Sequence, residues 1–409
     1  MYLILAYCFL MPMEVILRIP AVGNVAGLVG FGIVAQALVT RGRQLSLASV
    51  PIPLWLWVGW MALSALWVED GDGFALRFLF NIKFLVIALA IADWLATNSH
   101  RLGRVALAFL LGTLVVSGLV IANARELEDN LVHASLRASA FEEQGPAHVA
   151  SYLMAALITA YHLVLQQTSR GRAAALAVVS LLLATALVYS GTRSAWVGAV
   201  VGVTILSLHS RRRVALAVSL VTVVVLALLF VPSVQRAVVN RMGNAVESGG
   251  AGRTDIWAVS IGIWKEHPFL GVGMGELPRA YDRTAIRDAQ FDTDERLSHL
   301  QHRGSHSIYL HNLAELGVVG AGLFLAWFVL LAVGAWKAAR TKIPAAVLAF
   351  ALYLAFATQG AFLDILNRKY FWFNVALVLA VRTLARRELP GLSPSSADDR
   401  PLPPTPEVA

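Results

Sequence analysis

Long apolar runs, cut at intervals by short basic turns, constrain this chain more than any other feature. Blocks such as FALRFLFNIKFLVIALAIADWLA (74–96) and 307–336 reach or exceed the ~20 residues that a helix needs to cross a hydrocarbon layer. A backbone in lipid must satisfy its own donors and acceptors, which leaves helices or a closed barrel. The runs are continuous rather than alternating, so helices are predicted and a barrel is not. The whole composition agrees: 58% of residues are hydrophobic and only 14% charged, with a mean hydropathy of +0.67. A soluble domain has nearer half and a quarter.

Twelve spans are predicted, near 1–18, 20–39, 51–68, 74–96, 105–122, 147–165, 173–190, 194–208, 214–231, 307–336, 343–362 and 371–385. Short basic segments follow the even-numbered ones: Arg41 and Arg43, Arg101 and Arg104, Arg170 and Arg172, Arg211 to Arg213, Lys337 with Arg340 and Lys342, and Arg386 with Arg387. Lysine and arginine collect on the cytoplasmic side of membrane proteins, so both termini are expected there. The same bias accounts for the net charge of +8, and no nucleic-acid partner is inferred. Residues 1–388 form one membrane domain containing a long extracytoplasmic loop, 232–305, and Pro-rich 389–409 reads as a disordered cytoplasmic tail. The apolar start lacks a basic n-region and a small-residue cleavage site, so it reads as the first span rather than a signal peptide. Cys8 is the sole cysteine, which rules out an internal disulfide and a thiolate cluster. No internal repeat stands out.

Three groups then fall on the outer face. His306 sits between Ser305 and Ser307 at the lip of the tenth span, with His311 further in. A lone histidine there is more often a surface or capping group; the sharper reading is a general base, for which neutral imidazole is suited near pH 7. The two rings lie roughly 140° apart on a helix, so one acts while the other packs or orients. The second group is YSGTRSAW, 189–196, a tight turn that leaves Arg193 at the membrane surface. Snorkelling to headgroups is its plain reading, and a bidentate phosphate grip its functional one.

The third group, GRTDIWAVSIGIWKEHPFLGVGMGE (252–276), has Ile256, Trp257, Ser260, Ile261 and Trp264 at helical spacing, with Arg253 in the first turn. An amphipathic helix against the membrane or bundle is predicted. GVGMG follows Pro268 rather than a strand, so its glycines read as a turn and not a nucleotide loop. Span four carries Arg77 and Lys83; ionisable groups at membrane depth default to functional hypotheses, although Arg77 is close enough to the outer end to snorkel. Asp282, Asp288, Asp292, Asp294, Glu295, His299 and His302 lack tight ligand spacing, so no metal site is inferred. Arginines, aromatics and a histidine beside a bilayer suit a ligand with an anionic head, an apolar tail and a hydroxylated partner.

His306-Ser307, nine residues, then Gly317 and Gly320 resembles the HS-x9-GxxG signature of O-antigen ligases, and HSIYLHNLAELGVVG resembles the wider O-antigen ligase and polymerase superfamily. GRTDIW…HPFLGVGMGE and SGTRSAW are similar to that superfamily's periplasmic segment and arginine turn. The resemblance covers about 190–340. It implies an all-α, GT-C-like glycosyltransferase of the bacterial inner membrane, with no cofactor and no metal. Such enzymes pass a glycan from undecaprenyl diphosphate to a lipid A–core sugar hydroxyl on the periplasmic face. It also implies His306 as the catalytic group and Arg193 and Arg253 as donor-diphosphate ligands. Arg77 and Lys83 join them less directly, and His311 and Tyr309 are secondary candidates. Direct displacement would invert the anomeric centre. The alternatives are a polymerase or protein O-oligosaccharyltransferase of the same superfamily. A lipid-linked glycan transporter, from another class, would place charge near the midplane and build two similar halves.

Overall fold

The computed structural model describes residues 1–13, 18–19, 23–39, 50–129, 145–210, 253–287 and 304–388. The described chain is helical apart from a short antiparallel pair, Arg18–Ile19 with Gly23–Asn24. Eight helices precede the segment 232–305: α1 Tyr2–Leu10, α2 Val25–Val39, α3 Ile52–Leu63, α4 Gly71–Thr97, α5 Leu102–Asp129, α6 Pro146–Gln166, α7 Arg170–Tyr189 and α8 Arg193–Leu208. That segment supplies α9 Arg253–Glu266 and α10 Leu277–Arg287. Three more follow: α11 Ile308–Ala339, α12 Pro344–Gly360 and α13 Lys369–Glu388.

Eleven of the twelve predicted spans coincide with helices α1–α8 and α11–α13. The ninth, 214–231, lies outside the described residues, as do the Pro-rich tail and all of the acidic and histidine candidates named above except Asp282. Five described helices are long and apolar enough to cross a membrane, Gly71–Thr97 and Ile308–Ala339 among them. The other apolar helices are shorter. The first span is shorter than predicted: α1 gives way at Met11–Met13 to a 3-10 turn. Pro12 has no N–H to extend the ladder.

In lipid, helices associate by close packing and interhelical bonds rather than by expelling water. The α8–α12 pair illustrates this. A Cβ on Gly198 would stand 2.9 Å from the Ala355 carbonyl oxygen, so only glycine lets these backbones approach. At the centre, Trp57, Phe324, Trp327, Phe328, Tyr353 and Phe371 pack ring on ring, with Phe324–Trp327 centroids 5.2 Å apart. Such pairs add about 0.5–1.5 kcal/mol each beyond burial. Trp57 Nε1 donates to Asn312 Oδ1 at 3.0 Å, so α3 is also pinned to α11 by a polar bond.

Helices of alternating direction sort the turns by end. Ser99, His100, Gln166, Lys342 and Glu388 line one cavity, and Arg387 Nη1 donates to Ala96 O. The described basic turns therefore gather at one end of the bundle. Segments 64–71, 189–193, 304–308 and 361–369 gather at the other.

Candidate active site

At that second end, the Ser-His-Ser run builds the start of α11. Ser307 caps the helix, its Oγ accepting from the Leu310 N–H at 3.4 Å. Ser305 Oγ donates to Ser307 O at 2.8 Å and accepts from the Ser307 N–H. His306, between them, has φ of +49°, the one positive φ among described non-glycine residues. That conformation costs an L-residue about 1–2 kcal/mol, and such strain concentrates at functional sites. Both serines are buried while His306 stays partly exposed.

One turn further in, His311 and Glu315 share a helix face, as i,i+4 residues do. His311 Nε2 lies 3.1 Å from Glu315 Oε2, and Nδ1 lies 3.2 Å from Asp364 Oδ2. The second contact has ion-pair distance without hydrogen-bond alignment. Asp364 belongs to the α12–α13 connector and also faces Arg77 Nη1 at 4.0 Å. Burial opposes ionisation of its carboxyl. His311, Arg77, the Leu366 N–H and Arg368 outweigh that opposition and hold it below the ordinary carboxylate range. Asn81, one turn below Arg77 on α4, donates to Arg77 O at 3.0 Å and to Asn367 Oδ1 at 3.1 Å. The α4 face and the connector are thereby locked together. His148, at the head of α6, meets the Tyr370 hydroxyl at 3.1 Å and lies within electrostatic reach of Arg368, Asp364 and His306.

The glycines of the quoted signature have separate structural duties. Gly317 breaks α11 with φ of 64° and ψ of −170°. A Cβ there would stand 2.1 Å from Phe269 O. The backbone groups freed by the break are satisfied from outside the helix. Val272 N donates to Ala314 O (3.0 Å), Gly273 N to Glu315 O (2.8 Å) and Val318 N to Pro268 O (2.9 Å). Trp60 Nε1 donates to Leu316 O at 3.0 Å, and Gly320 leaves room for that indole. GVGMG is thus a turn, as its sequence predicted, docked into the break beneath His311 and Glu315.

The remaining candidates fall unevenly. Arg253 opens α9 and its guanidinium lies 5.9 Å from the centre of the Phe362 ring, on the connector that carries Asp364. Arg193 begins α8, immediately after Gly191 turns the chain at φ of 60°. Its helix runs antiparallel to α12, which places it level with the Gly360 end. Lys83 stands over the Phe80 and Phe84 rings at 3.9 and 4.7 Å. It lies roughly 120° around α4 from Arg77 and off the face that meets the connector. Tyr309 turns inward, its hydroxyl donating to Ala357 O at 2.9 Å. The predicted amphipathic helix is present as α9, but Ile256, Val259, Ser260 and Ile263 are its buried stripe, with Trp257, Ile261 and Trp264 at the margins. Among the described residues, no three His, Cys, Asp or Glu side chains converge as a metal site would require.

Sequence reasoning passed over Asp364, Arg368 and His148. A usable signal existed for one of them: on the topology predicted from charge, Arg368 falls among the outer segments as a cation that topology does not need, the same reasoning that singled out Arg193.

Residues 178–325 match the family model described as O-Antigen ligase. The matched span includes Arg193, Arg253, His306, His311 and Gly317, whereas Arg77, Lys83 and the 361–369 connector lie outside it. No curated protein matches the chain.

Proposed function

We propose, from the match of residues 178–325 to this domain, that the chain is a member of the O-antigen ligase superfamily and transfers a glycan from undecaprenyl diphosphate to a sugar hydroxyl of lipid A–core. The site would lie on the periplasmic face of the bacterial inner membrane, with both termini in the cytoplasm and twelve spans between. The gathering of the described basic turns at the opposite end supports this orientation. One observation carries the chemistry: a strained, partly exposed His306 at the end of the bundle where Arg77, Arg253, Arg368 and Arg193 also come.

In this reading His306 takes the acceptor hydroxyl's proton as its oxygen forms a bond to the anomeric carbon. The bond from that carbon to the phosphate oxygen breaks, and the electron pair leaves with the lipid diphosphate. Arginines stabilise the charge that grows there, because guanidinium stays protonated and grips two oxygens at once. No acid is needed on the leaving group, and displacement inverts the anomeric centre. His311, buried between Glu315 and Asp364, contacts Glu315 through Nε2, lies at ion-pair distance from Asp364 through Nδ1, and serves to orient Arg77 through Asp364. Lys83 adds positive potential deeper in α4.

Deletion of the gene tests the reading. Loss of every long surface chain with accumulation of lipid-linked polymer supports a ligase. Core capped by one repeat identifies a polymerase of the same superfamily, and unchanged lipopolysaccharide removes both. In purified protein, product with retained anomeric configuration would contradict direct displacement.

A further inference from the structure

At the basic end of the bundle, a cavity of 460 Å³ opens between α5, α6, α12 and α13, within the size range of small-molecule sites. Its mouth is polar, with Ser99, His100, Gln166, Lys342 and Glu388 on the rim. Gln166 Nε2 lies 2.8 Å from His162 Nε2. Arg101 Nε donates to His100 Nε2 at 3.1 Å, which brings a second cation to the rim. Neither Lys342 nor Arg101 has a carboxylate at ion-pair distance among the described residues. Two cations therefore stand against the one carboxylate among the lining residues, Glu388.

Behind the rim the walls turn apolar, with Leu102, Ala106, Leu163, Ile343, Leu348 and Leu384. Leu102, Ala106, Ala345 and Leu348 also line a narrow slot of 70 Å³ that continues inward between the same helices, past Phe109, Leu352 and Phe356. The polar side chains of the slot are spent elsewhere. The Thr159 hydroxyl donates to Ala155 O at 2.8 Å, the Tyr370 hydroxyl meets His148, and the Asn374 amide atoms have no accessible surface. Water held there would lack the two to four polar partners that a buried water needs. A ligand must therefore join an anionic group at the rim to an apolar chain directed inward. A free anion would leave the apolar wall wet, and an uncharged amphiphile would leave the two cations unanswered. A phosphodiester with an acyl tail meets both demands, and basic pockets between membrane helices suit the head groups of such lipids.

We propose that this cavity binds one anionic phospholipid from the leaflet at the basic end, its phosphate held by Lys342 and Arg101 and the start of one acyl tail in the slot. The proposal needs the bundle to span a bilayer and does not depend on the transferase reading, so the two fail separately. Full-length protein, stripped of lipid in detergent, is titrated with dioleoyl phosphatidylglycerol or dioleoyl phosphatidylcholine, and bound lipid is counted by native mass spectrometry. Native protein holds one phosphatidylglycerol at least about 5-fold more tightly than phosphatidylcholine, as one net cation beside an anionic lipid implies. Lys342→Gln lowers the affinity for phosphatidylglycerol about 5-fold and leaves that for phosphatidylcholine unchanged, whereas Glu388→Gln raises the former by a similar factor. Ala106→Phe fills the junction of cavity and slot and weakens both lipids together. If that variant does not fold, the two charge variants decide the matter, since Lys342 and Glu388 are exposed. Inorganic phosphate does not displace the lipid; displacement at millimolar concentration marks a free-anion site and overturns the proposal. Equal affinity for the two lipids, unchanged affinity in Lys342→Gln, or native binding by Ala106→Phe overturns it as well.

Discussion

His306 holds a backbone conformation that histidine adopts only under constraint, between two serines that bond to one another. Fixing the ring in this way suits a base that must meet a hydroxyl within hydrogen-bond reach. Replacing His306 by Ala should lower the transfer rate by about 10²–10⁴-fold while lipid-linked donor still binds. Single-turnover kinetics with a separate donor-binding measurement read both quantities. His306→Gly should be equally inactive, yet its Tm should be no lower than that of the native protein, because glycine adopts positive φ without strain. Asp364→Asn is a different case. It removes the charge that faces His311 and Arg77, at a cost of roughly 1–3 kcal/mol near pH 7. The folded carboxyl titrates below its ordinary value of 3.8. The stabilisation it gives is complete above that value and is lost as pH falls through the lower folded one. The Tm gap between variant and native protein should therefore stay constant from neutral pH down to about 4, then close in stronger acid; a gap that closes near pH 6 would point to another group.

Helix α11 works because it is broken. Left unbroken, its carbonyls at 314–316 would be spent within the helix, and the GVGMG turn would have nothing to dock on. Gly317→Ala forces a Cβ against Phe269 O and an L-residue into the left-handed region, so it should cost more than the ~1–2 kcal/mol of the backbone term alone. Gly322, five residues on, has open space around its Cα. Gly322→Ala should leave Tm unchanged or raise it, since alanine is favoured over glycine by up to about 1 kcal/mol in a helix. Thermal unfolding in detergent compares the two, and similar Tm values would refute the assigned role of the break. The quoted signature HS-x9-GxxG thus joins the proposed base, a cap, a helix break and an indole slot within fifteen positions.

The molecule as a whole is polarised, with described basic turns at one end and the candidate site at the other. Cys8 is fully buried, so single cysteines introduced elsewhere can report topology against a silent background. Phe269 is 68% exposed beside the GVGMG turn. Phe269→Cys should react with a membrane-impermeant maleimide added to spheroplasts. Arg172→Cys, at the basic end, should react only after the membrane is opened. The reverse pattern would place the site in the cytosol and end the proposal of a periplasmic transferase.

Hydropathy and charge were enough to place eleven described helices, the basic end, the turn at GVGMG and a helix beginning at Arg253. These depend on local composition, which lipid enforces residue by residue: apolar surface must match hydrocarbon, and backbone bonds must close within a segment. The pairings across long separations were not legible in that way. Asp364 meets His311 and Arg77, Glu276 caps the Asp70 N–H, and His148 comes within reach of His306 only because α4, α6, α11 and the α12–α13 connector end at one level. A one-dimensional pattern specifies which face of a helix is apolar. It does not specify which other helix covers that face, because in a membrane that choice is made by close packing of small residues and a few interhelical bonds.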